Sequence, residues 1–429
     1  MNIKVKGGQI LSGEITPSGS KNSAVALVAA SILFDKPVIF NNIPEIPDVE
    51  RLVKILQKMG SMINWNREKQ SLQIDNANLK FERLDREDLG NMKGTALLWG
   101  PMLARFGKVN FTELPGGCTL GERPLGPQYY SFRELGVKVK ETNHSVEMYL
   151  EDKVQKQVWL PEMSPTVTEN IIMIATNLKG KTKIIGAASE PQVQDLCEFL
   201  IKCGVKISGI GSTVLEIEGN SNLTPKEHSV WNDHYEIATF LAIAAATGGE
   251  IKIKNAMPEL FNHINYIFSK FGVEIRYEGT TAILKKGQKI TINPDEIDKT
   301  LIVRAQPWPS LPVDLLPIFI PLALGAQRGE TLFHNWMYEA GLFWTSELTK
   351  LGANVIMCDP HRIIVGAGRK LIGDKMEAPY IIRAVIVMVI VAMMAEGEST
   401  ILNADALYRG HPHFAENLRK LGAKIEEVV

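Results

Sequence analysis

This chain has no excess of positive or negative charge, and it has no long apolar run. Its 47 Lys and Arg residues stand against 48 Asp and Glu residues, a formal net charge of −1, and this balance gives no general attraction to nucleic acid or anionic membranes. The most apolar run, residues 384–395, is shorter than the ~20 residues that cross a bilayer. The first ten residues contain glycine and lysine where a signal peptide has an apolar core. We therefore expect a cytoplasmic protein without a nucleic-acid or membrane partner.

Cysteine is also rare. The chain has four cysteines, and they are Cys118, Cys197, Cys203 and Cys358. Their spacing contains no CxxC pair and matches no metal or disulfide framework, which favours a reducing compartment. The remaining composition, with 45% hydrophobic and 22% charged residues, is ordinary for a globular protein. A chain of 429 residues is more often two domains than one.

Internal repetition is what the sequence has in abundance. Six times an amphipathic stretch ends on glycine, followed by a small or β-branched residue and a strand-like segment, at intervals of 68 to 80 residues. The six glycines are Gly60, Gly136, Gly204, Gly272, Gly352 and Gly422. Each glycine is placed where a helix ends in the left-handed conformation before a strand. The period predicts six copies of one structural unit.

A second series of segments, almost entirely apolar, alternates with the first. These segments begin near Lys21, Lys93, Thr168, Glu236, Asp314 and Arg383. Because they lack a polar face, we expect helices buried on nearly all sides, with the amphipathic helices outside. Pro317 and Pro321 predict an irregular fifth buried helix. Six such α/β units fit two domains of three units each; a solenoid scaffold without chemistry is the alternative.

Cations at the start of buried helices are the first functional signal. Lys21 and Arg383 open apolar helices, although the helix dipole favours anions there. A bound anion, held by the cation and the backbone N–H groups together, resolves this conflict. With Arg123 and Arg409, these residues predict a phosphate or carboxylate site. Structural roles are the alternative for each residue: Lys21 as a solvated lysine, Arg409 as a capping or ion-pairing residue, and an aspartate such as Asp314 as a helix cap.

The loop at residues 115–124, PGGCTLGERP, is the second functional signal. Three glycines and two prolines exclude a helix interior or a central strand. Cys118 lies five residues before Arg123, and a thiol near a fixed cation can act as a nucleophile or a proton donor. The alternative is a small buried hydrophobic residue, which is the usual role of an unpaired cysteine.

The chain resembles the enolpyruvyl transferases, and the motifs that carry the resemblance are spread over essentially its whole length. The loop is similar to the PGGCxIGxRP motif that one branch of this family carries. Another member of the family, 5-enolpyruvylshikimate-3-phosphate synthase, lacks this motif. The other matching positions are SGSKN at 18–22, TEN at 168–170, Glu190-Pro191, PWPSLPVD at 307–314, Arg383 and Arg409-Gly410. The resemblance implies two inside-out α/β barrel domains of three βαβαββ repeats each, with the active site in the interdomain cleft. The first domain would be residues 21–228, and residues 1–20 would join 229–429 in the second.

The resemblance also implies a reaction. It is the transfer of the carboxyvinyl group of phosphoenolpyruvate to the 3-hydroxyl of UDP-N-acetylglucosamine, the first committed step of peptidoglycan precursor synthesis, without a cofactor, a metal or an obligatory protein partner. Cys118, the fosfomycin target in the family, and Asp314 would be catalytic. The phosphoenolpyruvate-binding residues would be Lys21, Arg123, Arg383 and Arg409. The nucleotide-sugar-binding residues would be Asn22, Lys93, Ser164, Thr168, Glu190 and Asp314.

Three segments depart from the family pattern. Lys93 stands where the family has an arginine, residues 125–128 read LGPQ where it has VDLH, and residues 334–344 lack its ENRF arginine. Phosphoenolpyruvate chemistry is retained in the remaining motifs. Two alternatives therefore accompany the prediction: a related transferase that acts on another nucleotide or sugar, and a non-catalytic binding protein. Retention of Cys118, Asp314 and Arg409 disfavours the second.

Overall fold

The structure, a computed structural model, describes residues 1–84, 93–111, 125–142, 145–150, 157–220, 222–294 and 300–428. These residues form two compact units. The first unit lies within residues 19–231, and the second contains residues 1–18 and 232–428. The chain therefore passes between the units after Ser18 and again after Trp231.

Twenty-three strands are present in the described residues. The strands up to the second crossing are β1 Asn2–Lys6, β2 Ser12–Ile15, β3 Val38–Asn41, β4 Met62–Asn66, β5 Ser71–Asp75, β6 Lys108–Phe111, β7 Val137–Glu141, β8 Val146–Leu150, β9 Gln157–Trp159, β10 Lys181–Ile185, β11 Lys206–Ser208, β12 Val214–Glu218 and β13 His228–Ser229. The later strands are β14 Glu250–Ile253, β15 Ile275–Glu278, β16 Thr281–Leu284, β17 Leu301–Arg304, β18 Glu330–His334, β19 Asn354–Asp359, β20 Arg362–Gly366, β21 Lys375–Glu377, β22 Glu398–Leu402 and β23 Ile425–Val428.

The α-helices alternate with these strands. They are α1 Lys21–Ala30, α2 Pro47–Met59, α3 Trp99–Phe106, α4 Gly126–Glu134, α5 Pro165–Ala175, α6 Pro191–Lys202, α7 His234–Ala246, α8 Asn262–Lys270, α9 Ile320–Gly325, α10 Ile382–Met394 and α11 Phe414–Lys420. The 3-10 helices are Ser31–Leu33, Phe81–Arg83, Lys93–Leu98, Pro258–Leu260, Leu316–Phe319, Phe343–Leu351 and Ala404–Arg409. No helix in these ranges has the length and apolarity that a bilayer crossing needs.

The strands form one small sheet for each sequence repeat; five of the six are mixed, and β6-β8-β7 is antiparallel in the described residues. In the described residues of the first unit the sheet orders are β13-β3-β5-β4, β6-β8-β7 and β11-β12-β10-β9. In those of the second unit they are β15-β16-β14-β2, β17-β18-β20-β19 and β21-β22-β1-β23. The last sheet of the first unit shows the connectivity, because β10 is parallel to β9 across α5 and antiparallel to β12. The predicted α/β class with six βαβαββ-type repeats is thereby confirmed.

One helix of each repeat is buried, as predicted. In the first unit α1 and α5 contribute continuous buried runs to the apolar core. In the second unit α7, α9 and α10 pack on one another, and α10 is buried from Ala384 to Met393. The close packing has a specific requirement at Gly100 of α3, where an added Cβ would lie 2.6 Å from the Asn170 carbonyl oxygen of α5.

Two buried segments differ from a simple helix. The segment from Lys93 is a 3-10 helix before α3, and the segment from Leu316 is a 3-10 helix before α9. Proline explains both, because it has no N–H to donate and is tolerated only in the first turn of an α-helix. Pro101 and Pro321 lie in the first turns of α3 and α9. The irregularity predicted for the fifth helix is confirmed, and the second buried helix has a similar irregularity that was not predicted.

The outer helices end as the sequence predicted. All six repeat glycines have positive φ values, between 73° and 110°. The helix before each is amphipathic, for example α2, which buries Val49, Leu52 and Leu56 and exposes Lys54 and Lys58. The fifth outer helix, Phe343–Leu351, is a 3-10 helix rather than an α-helix.

Candidate active site

Lys21 opens α1 and is paired with a carboxylate. Its Nζ lies 2.6 Å from Asp48 Oδ2, in the first turn of α2, and both side chains are largely buried. The helix itself is capped by Ser20, whose Oγ accepts from the Ser23 N–H at 3.4 Å. Asp48 thus supplies an anion at the position where the dipole argument predicted one, and a ligand phosphate would have to share the ammonium with it. The next residue, Asn22, is partly exposed.

Thr168 and Ser164 connect the start of α5 to the chain before α6. The Thr168 hydroxyl donates to the Ser164 carbonyl at 2.9 Å and accepts from the Ala188 N–H at 2.9 Å. Thr168 is fully buried, whereas Ser164, at the N-cap position, makes no side-chain cap bond. Thr168 therefore fixes the spacing between α5 and the segment that carries Glu190.

Glu169 and Glu190 are a pair of buried carboxyls in this segment. Burial, followed by the neighbouring Glu190, raises the pKa of Glu169 well above its usual range. Burial also raises the pKa of Glu190 to about 7. Glu169 Oε1 and Glu190 Oε2 have no hydrogen-bond partner within the described residues. The pair therefore retains protons near neutral pH and can donate hydrogen bonds as well as accept them.

The side chains of three predicted site residues lie outside the described part of the structure. Lys93 begins the 3-10 helix before α3, but its side chain lies outside the described part of the chain, as do Cys118 and Arg123 altogether. The LGPQ segment directly after the loop begins α4, and Gln128 is 5% exposed. Sequence reasoning left the fold of this segment open.

Arg383 lies at the start of α10 among aromatic and imidazole rings. Its Nη1 donates to His411 Nε2 at 2.8 Å, and its Cζ lies 4.9 Å from the centre of the Tyr235 ring. Because Nε2 accepts, His411 is neutral, with its proton on Nδ1. The α10 amino terminus has no side-chain cap. A cation, an uncapped helix amino terminus, a histidine and a tyrosine ring therefore meet in the second unit.

Arg409 and Asp314 lie in or beside two different 3-10 helices of the second unit. Arg409 ends the 3-10 helix Ala404–Arg409, and its Cζ lies 5.1 Å from the centre of the Tyr380 ring. Asp314 lies in the turn before the 3-10 helix Leu316–Phe319, and neither that helix nor α9 begins on a side-chain cap. The interpretation of Asp314 as a helix cap is therefore wrong, and its partly exposed carboxylate is left for another role.

Sequence reasoning assigned no role to several buried polar residues that the structure places beside the predicted ones. Glu236 is fully buried, and its Oε2 accepts from the Ser18 N–H at 2.8 Å. Burial, with Asp233 nearby, raises its pKa to about 7. His234, also buried, is a neighbour of Arg383. The sequence signal that could have identified these residues is a charged or imidazole side chain at the beginning of an otherwise apolar helix.

The fold and these clusters define a class of protein. The chain matches the family model of EPSP synthase (3-phosphoshikimate 1-carboxyvinyltransferase) over residues 5–427, so it belongs to that family of enolpyruvyl transferases. Among solved structures, the enolpyruvyl transferase NikO from Streptomyces tendae superposes with a TM-score of 0.85 at 19% identity, covering 99% of this chain and 98% of that one. An EPSP synthase from Acinetobacter baumannii gives 0.73 at 17% identity over the full length of both chains. At such identities the likeness shows the fold alone.

Sequence relatives indicate which members of the family this chain is similar to. The UDP-N-acetylglucosamine 1-carboxyvinyltransferase of Borreliella burgdorferi is 36% identical over 424 residues, which cover 99% of this chain and 98% of the relative. The protein of the same name from Bradyrhizobium diazoefficiens is 37% identical over 424 residues, with 99% and 97% coverage. These relatives therefore match this chain from end to end, at about twice the identity of the solved structures.

Proposed function

We propose that this protein transfers the enolpyruvyl group of phosphoenolpyruvate to the 3-hydroxyl of UDP-N-acetylglucosamine and releases phosphate. This reaction is the first committed step of peptidoglycan precursor synthesis. The observation that carries the proposal is the 36–37% identity, along 99% of the chain, to relatives that bear the name of this activity. The cytoplasmic location is part of the same proposal, and the cysteine usage supports it.

The proposed chemistry is an addition followed by an elimination. The acceptor hydroxyl oxygen bonds to C2 of phosphoenolpyruvate while C3 gains a proton, and the C2–O bond to phosphate then breaks as a proton leaves C3. Asp314 would accept or align the hydroxyl proton. Cys118 would add reversibly to C2 of phosphoenolpyruvate while its thiol proton goes to C3, and this S–C2 bond would break again, with return of the proton to sulfur, before the acceptor oxygen bonds to C2. Lys21, Arg123, Arg383 and Arg409 would offset the charge of the phosphate and carboxylate.

We further propose that the two compact units are the two domains predicted from the resemblance, residues 21–228 and residues 1–20 with 229–429. The division of the described residues after Ser18 and Trp231 supports this assignment. The nucleotide-sugar contacts predicted for Asn22, Lys93, Ser164, Thr168 and Glu190 remain proposals. Thr168 would act by holding its neighbours in place, since its hydroxyl is already bonded within the protein.

A second candidate function is the same transfer to a different nucleotide or sugar. The observation that favours it is the LGPQ segment, in which Gln128 is buried in the first turn of α4 and has only 5% of its surface for a ligand. The acidic and imidazole residues of the family motif are absent from this segment. This segment would favour an acceptor that places no polar group against residues 125–128.

A phosphate-release assay separates the two candidates. Phosphoenolpyruvate is supplied with UDP-N-acetylglucosamine, other UDP-sugars, UMP or shikimate 3-phosphate, and free phosphate is measured. We expect release with UDP-N-acetylglucosamine at least ~10-fold faster than with the others, since a site that hydrogen-bonds its substrate rejects analogues that lack those groups. An Asp314→Asn variant serves as the control and should lose ~10²-fold or more in kcat. Faster release with another acceptor would establish the second candidate.

A further inference from the structure

His234 is a buried polar residue that the proposed reaction does not use. Its side chain is the first of α7 and is 1% exposed. Neither Nδ1 nor Nε2 has a hydrogen-bond partner in the described parts of the chain. A buried polar group left without a partner costs about 1–3 kcal/mol, and native proteins retain few of them. Two such atoms on one ring indicate that the ring has a partner outside the described residues, and a bound ligand is one group that can supply it.

The protonation state of His234 is fixed by its surroundings. Burial, followed by the neighbouring Arg383 guanidinium, lowers the pKa of His234 to about 3. At neutral pH the ring is therefore uncharged, with one N–H donor and one acceptor nitrogen. Aromatic rings hold it in place, because its centroid lies 4.0 Å from that of Tyr235 and 5.6 Å from that of Trp308.

The groups around His234 favour an anionic partner. Arg383 contacts the Tyr235 ring, which also packs against His234. The α10 amino terminus that carries Arg383 has no side-chain cap, and such a terminus attracts anions. Two carboxyls close to His234 in the sequence already bind backbone N–H groups: Asp233 Oδ1 accepts from Tyr235 and Glu236 at 2.8 and 3.1 Å, and Glu236 Oε2 accepts from Ser18 at 2.8 Å.

We infer that His234 is a further substrate-binding residue, which donates its ring N–H to a carboxylate or phosphate oxygen of the anion that Arg383 holds. The inference rests on the proposed function in taking phosphoenolpyruvate as that anion. The ring nitrogens have almost no accessible surface, so a ligand would reach them only after a neighbouring side chain moves. Arg383 is a long side chain that is only partly buried, and its movement from His411 toward the ligand would uncover the ring.

The test combines binding with stability in a His234→Phe variant. Phenylalanine keeps an aromatic ring between Tyr235 and Trp308 but removes both nitrogens. Calorimetry should show phosphoenolpyruvate affinity reduced by about tenfold or more, as expected for a lost hydrogen bond to a charged group. The Tm of the ligand-free variant should stay level or rise, because an unsatisfied polar group has been removed. A His234→Asn variant, which retains an N–H donor, should recover part of the affinity.

His228 supplies the matched control. It is equally buried, but its Nε2 lies 2.6 Å from Asp195 Oδ1 and its Nδ1 lies 3.1 Å from Lys202 Nζ. A His228→Phe variant should lower Tm, because Asp195 loses a buried partner, and should leave phosphoenolpyruvate affinity unchanged. Inorganic phosphate is the second probe: a parallel loss of phosphate affinity in His234→Phe assigns the contact to the phosphoryl group, and an unchanged one assigns it to the carboxylate.

The opposite result overturns the inference. If His234→Phe lowers Tm as His228→Phe does and binds phosphoenolpyruvate as the wild type does, the imidazole bonds inside the protein and has no ligand role. Because the readout is binding rather than turnover, it is independent of the acceptor. A wild-type protein that binds phosphoenolpyruvate but releases no phosphate with any acceptor would remove the proposed function and leave His234 to be judged by its own variants.

Discussion

Individual residues in this protein are set apart by their electrostatic surroundings more than by their type. The cysteines show this well. Cys197 and Cys203 are buried, and burial raises the pKa of both thiols, that of Cys203 to about 11. Among the cysteines in the described ranges, only Cys358 is exposed. Because the thiolate is the nucleophile, Cys197 and Cys203 should be inert toward electrophiles.

We predict that fosfomycin modifies Cys118 selectively. Intact mass spectrometry after incubation with the drug and UDP-N-acetylglucosamine should show one adduct, which peptide mapping should place in the loop at residues 115–124. A Cys118→Asp variant should show none, and a Cys358→Ser variant should be modified like the wild type. Adducts on Cys358 with Cys118 untouched would contradict the proposed role of the loop thiol.

At the scale of elements, α3 and α5 pack closely against each other in the first unit. The Gly100 N–H donates to Asn170 Oδ1 at 2.5 Å, and Asn170 Nδ2 donates to the Ala96 carbonyl at 3.0 Å. The TEN motif thus has a structural component, since its asparagine joins two buried segments. Its glutamate is one of the two buried carboxyls of the same region.

We predict that Gly100→Ala destabilises the protein, whereas Gly126→Ala does not. A methyl group at Gly100 would press on the Asn170 backbone, and overpacking of this kind costs about 1–3 kcal/mol. Gly126 opens α4 with nothing within 4 Å of an added Cβ, so alanine should be neutral or stabilise by about 0.4–1 kcal/mol. Denaturant unfolding of both variants measures the difference. Equal stability of the two would mean that α3 and α5 are not in close contact.

For the whole molecule, buried carboxyls couple stability to pH. Burial raises the pKa of Glu190 in the first unit and of Glu236 in the second from about 4.5 to about 7. Between these values the folded protein holds more protons than the unfolded chain, so the free energy of unfolding falls as pH rises. The stability that these groups contribute is complete below their unfolded pKa and lost as pH rises through 7.

We predict that Tm declines between pH 5 and pH 8 and that a Glu190→Gln, Glu236→Gln double variant shows at most about half of this decline. Glutamine keeps the shape of the protonated acid but does not titrate. Calorimetric melts in a series of buffers give the comparison, with Glu162→Gln, an exposed position, as the control. An unchanged pH profile in the double variant would show that neither carboxyl retains its proton in the folded state.

The sequence by itself determined the repeat, the α/β class and the helix ends. These features are local, since the positive φ of a glycine, the missing N–H of a proline and the pattern of apolar side chains in a helix each depend on a short stretch of sequence. The enolpyruvyl transferase motifs were equally legible, because they are contiguous. Only the tertiary structure decided which polar groups meet: Lys21 with Asp48, Glu169 with Glu190, and Arg383 with His411 and Tyr235. Those partners lie up to 148 residues apart in the chain, Tyr235 to Arg383, and burial, which sets their protonation, exists only once the units have folded.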